Sequence, residues 1–330
     1  MIYKTYDFNE EKIKINGRGY AENGRLVLPW SYSGFSFVFN GSRLILTFEP
    51  FSDEMPAYIK IDIDGSAVKY GISDGKEVIV TPLIADSFHT ATVTRITEGM
   101  SPVVVSSVKV CGDAPSIIAK TPEKKIKIEF IGDSITCGYG VDAPSDVGVF
   151  NTYEEDCTLS YAYECARILG ADVSFAGASG KGIIANCLGD RTDMTLRQAF
   201  VYKNRQGGKW DHSLFVPDCV VVNAGTNDAW GGVSDEEFTE TAKILLKEIR
   251  EKYACSPILW AYGIMDTTKV KAAEKAVNEI KETDKNVHFL EIECMSKHEN
   301  EVGGGGHPNV FTSKRVAPIL ASKIKEILSL

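Results

Sequence analysis

A chain of 330 residues with 44% hydrophobic content can bury one large core or two medium ones. Its net charge of −9 provides no basic field for a phosphate backbone, and no dense Lys/Arg block is interleaved with aromatics, so nucleic acid is excluded as a partner. No 18 uncharged apolar residues run together, and the opening MIYKTYDFNEEKIKING has scattered charges and no apolar signal core. No membrane span or export signal is therefore expected, and the chain is placed in the cytoplasm, with secretion the alternative should a leader precede it. Eight cysteines without a C-x-x-C pair fit reduced thiols in that compartment.

Up to about residue 117 the signals are those of β structure. RLVLPW, FSFVFN, RLILTFE, YIKIDIDG, EVIVTPL, TATVTRIT and PVVVSSVKV are short, β-branched or aromatic, largely alternating, and separated by Gly, Asn, Asp and Pro. Such runs predict an antiparallel sandwich of jelly-roll type. GDAPSIIAKTPEKK, residues 112–125, has little periodicity and is expected to be a connector, giving a β-sandwich over 1–117, a linker over 118–125 and a second domain over 126–330.

From there the period changes. Strands are predicted over 126–131, 172–176, 218–224, 257–264 and 287–293, with helical segments between them. The clearest helix is SDEEFTETAKILLKEIREKY, with Ser234 and Glu237 as a capping box; in the terminal TSKRVAPILASKIKEIL, Pro318 is expected to start or kink the helix. Strands alternating with helices predict an α/β fold with a parallel, doubly wound sheet.

Ligands of such sheets bind beyond the carboxyl ends of the strands. Gly132-Asp133-Ser134 follows the first strand, GASGKG the second, GTND the third and GGGGHPN the fifth, which brings a hydroxyl, close backbone N–H groups, an amide and an imidazole to one edge. Acyl transfer needs those elements: a nucleophile (Ser134), a base (His307), and donors for the oxyanion, here the N–H groups of Ser134 and Gly180 with the Asn227 amide.

Each of these residues also has a plainer role. A serine between strand and helix is usually an N-cap, GSGK a turn that lacks phosphate-loop spacing, and Asn227-Asp228 an Asx turn. His89, His212, His288 and His298 are read as core or surface residues, and Cys137 as a buried structural thiol. The absence of G-x-S-x-G, H-E-x-x-H and Cys/His clusters argues against an α/β-hydrolase elbow and against zinc.

With those residues in place, Ser134 in GDSI, Gly180, Asn227 in GTND and His307 in HPN resemble the four sequence blocks of the SGNH, or GDSL-type, esterases, from about residue 125 to the C-terminus. The β-rich first third ahead of such a domain is similar to carbohydrate esterase family 2, which removes acetyl groups from plant cell-wall polysaccharides; GRGY, LPWSYSGFSFVF and VTRITEG are similar to its jelly roll.

The resemblance implies a jelly-roll sandwich ahead of a three-layer, flavodoxin-like SGNH domain. It implies a serine esterase that takes acetyl groups from xylan- or mannan-type oligosaccharides, its substrate partners, with no metal or organic cofactor. One departure stands out: the Asp that SGNH enzymes carry three residues before the histidine is Gly304 here. Family 2 members work as a Ser-His dyad, and a main-chain carbonyl of the 303–306 run is expected to hold Nδ1 in place of a carboxylate such as Glu301. Trp230 and Tyr139 are candidates for sugar contact, with Trp30, Trp210 and Trp260 behind them; the plainer role of each, and the one large aromatics more often take, is core packing. Two alternatives stay open: a short-chain lipase or thioesterase, and a carbohydrate-binding protein on a dead esterase scaffold. The oligomeric state is left open.

Overall fold

The structure is a computed structural model that describes residues 2–8, 11–50, 55–72, 75–82, 84–144 and 151–330. Leu83, in the EVIVTPL run, lies outside the described residues. The chain divides into two units, Met1–Glu123 and Lys124–Leu330.

In the first unit, alternation makes the sheets. Strand Gly34–Gly41 turns Phe35, Phe37 and Phe39 inward and pairs antiparallel with Ser87–Arg95, which pairs in turn with Tyr58–Ile63, whose Ile59, Ile61 and Ile63 are buried. The facing sheet buries Leu44, Leu46 and Phe48 of Arg43–Phe48 against Val103–Gly112. In that last strand the inward positions change from Val103 and Val105 to Val108 and Val110, because a bulge between Val105 and Ser107 adds one residue. Each sheet has six described strands and the side chains between them form one apolar cluster, as in a jelly-roll sandwich.

Within the expected connector, Ser116–Ala119 is an edge strand on Gly34–Gly41, across a second register shift. Ile2–Tyr6, Lys14–Asn16, Tyr20–Glu22 and Ser66–Gly71 are further strands that the sequence pattern does not announce.

The second unit is built on five parallel strands: β1 (Ile126–Gly132), β2 (Ala171–Gly177), β3 (Cys219–Asn223), β4 (Ile258–Tyr262) and β5 (Val287–Glu291), in the order β2-β1-β3-β4-β5. Among the described residues seven α-helices accompany them: α1 (Ser134–Cys137), α2 (Tyr161–Leu169), α3 (Leu196–Val201), α4 (Thr226–Trp230), α5 (Asp235–Lys252), α6 (Val270–Lys281) and α7 (Val310–Leu328). One sheet face turns Ile131, Val220, Val222 and Trp260 onto α3, α5 and α6; on the other, Phe130 meets Tyr161 of α2, which packs on α7. This is the three-layer, flavodoxin-like arrangement, and its order reverses between β1 and β3, the switch point where ligands of such sheets bind.

Two details of the helices differ from expectation. Ser234 caps α5 by accepting from the Glu237 N–H, but the Glu237 carboxylate pairs with Arg191 and does not return to the cap. Pro318 lies within α7 and does not start it: Asn309 is the cap, accepting from the N–H groups of Phe311 and Thr312.

Candidate active site

β1 ends on Gly132, which pairs in register with Gly177 of β2; a Cβ at Gly177 would lie 1.7 Å from the Gly132 carbonyl oxygen, so the two strand ends meet as bare backbone. The next residue, Asp133, is the N-cap of α1 and accepts from the Ile135 N–H at 3.1 Å. Ser134 is thus the first helical residue and not the cap, and its hydroxyl is left for another partner.

That partner is His307, whose Nε2 stands 2.8 Å from the Ser134 Oγ across 173 residues of sequence. Its Nδ1 lies 3.0 Å from the main-chain oxygen of Gly305. A carbonyl only accepts, so Nδ1 carries the proton and Nε2 of the neutral ring is free to accept from the serine hydroxyl. Glu301 is engaged elsewhere, in a two-pronged pair with Arg315 at 2.7 and 2.8 Å.

The loop holding the imidazole is fixed through its backbone. Gly303 N–H donates to the His307 carbonyl at 2.7 Å, Gly304 N–H to the Gly140 carbonyl at 2.9 Å, and Gly305 has φ +59°. A Cβ on Gly140 would fall 2.3 Å from the Gly304 oxygen, and one on Gly304 would fall 3.0 Å from the Ala143 Cβ and 3.2 Å from the Gly140 Cα. Close approach to the loop after α1 therefore accounts for the missing acid: position 304 holds no side chain unless its neighbours move. The Tyr139 ring lies 4.4 Å from the imidazole, centroid to centroid, and so forms a wall of the histidine's seat.

On the other side of Ser134, residues 178–181 form a turn closed by Lys181 N–H to the Ala178 carbonyl at 3.3 Å, with Gly180 at φ +75° as a type II turn requires at its third position. Among the described residues, neither the Ser134 N–H nor the Gly180 N–H has an acceptor within hydrogen-bonding distance.

Asn227 and Asp228, at the start of α4, do not close a local turn. The Asn227 amide donates to the Asp133 carboxylate at 3.0 Å and to the Lys181 carbonyl at 3.1 Å, tying the loop before Ser134 to the loop beside Gly180. The Asp228 carboxylate accepts from the N–H groups of Ile183, Ile184 and Ala185 at 2.8 to 3.1 Å. Burial pushes the Asp133 carboxyl up to about 7, with the Asp228 charge adding to the rise. Burial also raises Asp228, against the pull of its three N–H donors.

The remaining candidates separate by exposure. Trp30, Trp210 and Trp260 are core residues, whereas Trp230, at the end of α4, is 53% exposed. Cys137 is fully buried, and all eight cysteines are free thiols. His89 pairs with Asp64, His212 with Tyr253 and His298 with Glu293. Among the described residues no cluster of His, Cys, Asp and Glu is arranged to hold a metal, and no helix is long and apolar enough to cross a membrane. Asp133 and Gly140 are site residues that sequence reasoning passes over; the available signal for both is their place in the GDS and GYG triplets beside the serine.

The chain is 27% identical to the cellulase/esterase CelE of Acetivibrio thermocellus over 98% of its own length and 40% of the relative's, and 28% identical to an acetylxylan esterase / glucomannan deacetylase of Cellvibrio japonicus over 66% of the chain and 59% of that protein. It thus spans about half the length of the curated relatives it matches. Among solved structures, a family two carbohydrate esterase from Clostridium thermocellum in complex with cellohexaose superposes with a TM-score of 0.87 at 26% identity, covering 96% of this chain and 99% of that one. An acetyl xylan esterase from Butyrivibrio proteoclasticus, at 18% identity, shares the fold over 100% of this chain and 99% of its own with a TM-score of 0.90. The sequence profile of the GDSL-like lipase/acylhydrolase family matches residues 130–311, more than half of the chain, and the chain belongs to that family.

Proposed function

We propose that this protein is a carbohydrate esterase that hydrolyses O-acetyl esters on xylan- or mannan-type oligosaccharides through a Ser134–His307 dyad. The observation that carries the proposal is the imidazole held by the Gly305 carbonyl on one nitrogen and facing the Ser134 hydroxyl with the other. The names of the relatives support the acetylated-sugar substrate class.

In the reaction, His307 Nε2 takes the Ser134 proton as Oγ attacks the acetyl carbonyl. The negative charge develops on an oxygen that the N–H groups of Ser134 and Gly180 receive, neither of which has an acceptor among the described residues. Asn227 is the third donor, and it reaches the oxyanion by sharing a hydrogen already given to Asp133 or Lys181. The imidazolium then protonates the leaving sugar alkoxide. A water, deprotonated in turn by His307, attacks the acetyl-enzyme and releases acetate. The exposed Trp230 indole offers a stacking face to a sugar ring.

The test is acetate release from acetylated xylo- and manno-oligosaccharides by the wild type and by Ser134→Ala. Release by the wild type with loss of roughly 10⁴-fold or more in the variant is expected. Release by neither would remove the proposal.

A further inference from the structure

Between Gly180 and α4 the chain makes a short turn, Cys187–Gly189, with Leu188 at its tip. Leu188 is 95% exposed and has φ +63°, a left-handed conformation in which a leucine is uncommon. Seven non-glycine residues among those described have positive φ: four are Asn or Asp, Ser329 ends α7, and Tyr32 is buried. Leu188 alone of the seven is aliphatic, and it packs on almost nothing of its own chain. Single exposed leucines are ordinary on protein surfaces. One held rigidly in a strained conformation beside a candidate site is not.

The turn is braced on both sides. Cys187 N–H donates to the Gly180 carbonyl at 2.7 Å, and Gly189 N–H to the Asn186 carbonyl at 3.0 Å. Asn186 N–H donates to the Asp190 carbonyl at 2.7 Å, and the Asn186 amide to the Asp190 carboxylate at 3.0 Å. The loop therefore holds its tip in place without help from the leucine side chain. It also touches the end of α4: a Cβ on Gly231, directly after Trp230, would lie 3.0 Å from both the Asn186 oxygen and the Ala185 Cβ. Leu188 and the half-exposed Trp230 thus ride on backbone segments in contact with each other, one next to the Gly180 donor and the other next to Asn227.

We infer that Leu188 is a specificity-determining residue, an apolar lip beside Trp230 that receives the C–H face of the sugar bearing the scissile acetyl group. This rests on the acetyl-sugar reading above. An aliphatic side chain and an indole are suited to the C–H face of a pyranose, and a rigid loop presents the leucine with little ordering left to do on binding.

The experiment compares wild type, Leu188→Gly and Leu188→Met on an acetylated oligosaccharide and on ethyl acetate, whose leaving group is too small to reach a lip. For Leu188→Gly, KM for the oligosaccharide is expected to rise roughly five- to tenfold with kcat held, with kcat/KM for ethyl acetate unchanged. The melting temperature should hold or rise, since glycine relieves the positive φ. Leu188→Met, which restores an apolar chain, should recover most of the lost KM.

An unchanged KM on the oligosaccharide would overturn the inference. So would an equal loss on both esters, which would make Leu188 a support of Gly180. A wild type that cleaves ethyl acetate but frees no acetate from any sugar would overturn the acetyl-sugar reading, and the lip with it. A sugar-active wild type with an unaffected Leu188→Gly would overturn the lip alone.

Discussion

The two sides of the serine are held by opposite means. On the histidine side the contacts rest on backbone: Gly140 against Gly304 and Gly303 to His307 are backbone to backbone, and the Gly305 carbonyl holds the imidazole Nδ1. On the oxyanion side they are made by buried polar side chains: Asn227 bridges Asp133 and Lys181, and Asp228 gathers three N–H groups. A side built from glycine has no room for a gained atom. A side built from buried amides and carboxylates fails when it loses one, because the partners left behind are desolvated and unpaired.

Removing Asn227 tests the polar side hardest. Asn227→Ala takes away a proposed oxyanion donor and also the tie between the loops of Ser134 and Gly180. A fall in kcat of about 10²- to 10³-fold is expected, together with a stability loss of roughly 1–3 kcal/mol from the unpaired Asp133 oxygen and Lys181 carbonyl. Steady-state kinetics and urea denaturation measure the two. A variant within tenfold of wild-type kcat would show that the backbone donors suffice and that the bridge is dispensable.

On the glycine side the informative change is an addition. Gly304→Asp restores the acid that the family pattern carries at this position, and simple analogy expects a faster enzyme. The packing forecasts the reverse, since a Cβ there meets the Ala143 Cβ at 3.0 Å and the Gly140 Cα at 3.2 Å while Nδ1 already has its acceptor. A shift of the loop by a fraction of an ångström misaligns Nε2, and a loss of kcat of about 10-fold is expected. Higher kcat in Gly304→Asp would mean that the Gly305 carbonyl is a poor substitute for a carboxylate and that the loop is softer than its contacts imply.

How much of this is legible in the sequence follows from the range of the signals. Ser134, Gly180 and Asn227 stand within a few residues of strand ends, which period and turn chemistry mark locally, while His307 lies at the end of the long loop between β5 and α7; the sheet rule then carries all four to one edge. The strand order itself, with the switch point between β1 and β3, is not local and has no sequence signature. Between Asp133 and Ser134 either residue can cap a helix, and only the backbone path selects the aspartate. The void at position 304 is legible as a missing acid, but its cause is a contact with Gly140, more than 150 residues away in the chain. Glu237 has the spacing of a capping box, and a guanidinium from a distant loop outbids the cap. In the first unit, the bulge at Val105–Ser107 and the edge strand Ser116–Ala119 escape a period-2 reading because each depends on the neighbouring strand.

The smallest of the expected effects concerns Asp133, and it gives the polar side a pH signature that the glycine side lacks. Its carboxyl ionises near 4 in an unfolded chain and at about 7 in the fold, chiefly through burial and then through Asp228. Between those values the folded state holds a proton that the unfolded state has released, so stability falls as pH rises, and above about 7 the full penalty is present. The penalty is on the order of a few kcal/mol at most, less whatever the fold recovers by relaxing around the charge. Asp133→Asn keeps an acceptor oxygen for Ile135 or Asn227 but gives up the second, which costs about 1 kcal/mol at every pH. The variant should therefore gain stability on wild type between pH 5 and about pH 7, and the difference should level off above that. A difference between the two proteins that stays constant from pH 5 to 8 would show that Asp133 is ionised throughout and that Asn227 and the α1 N-terminus stabilise its charge fully.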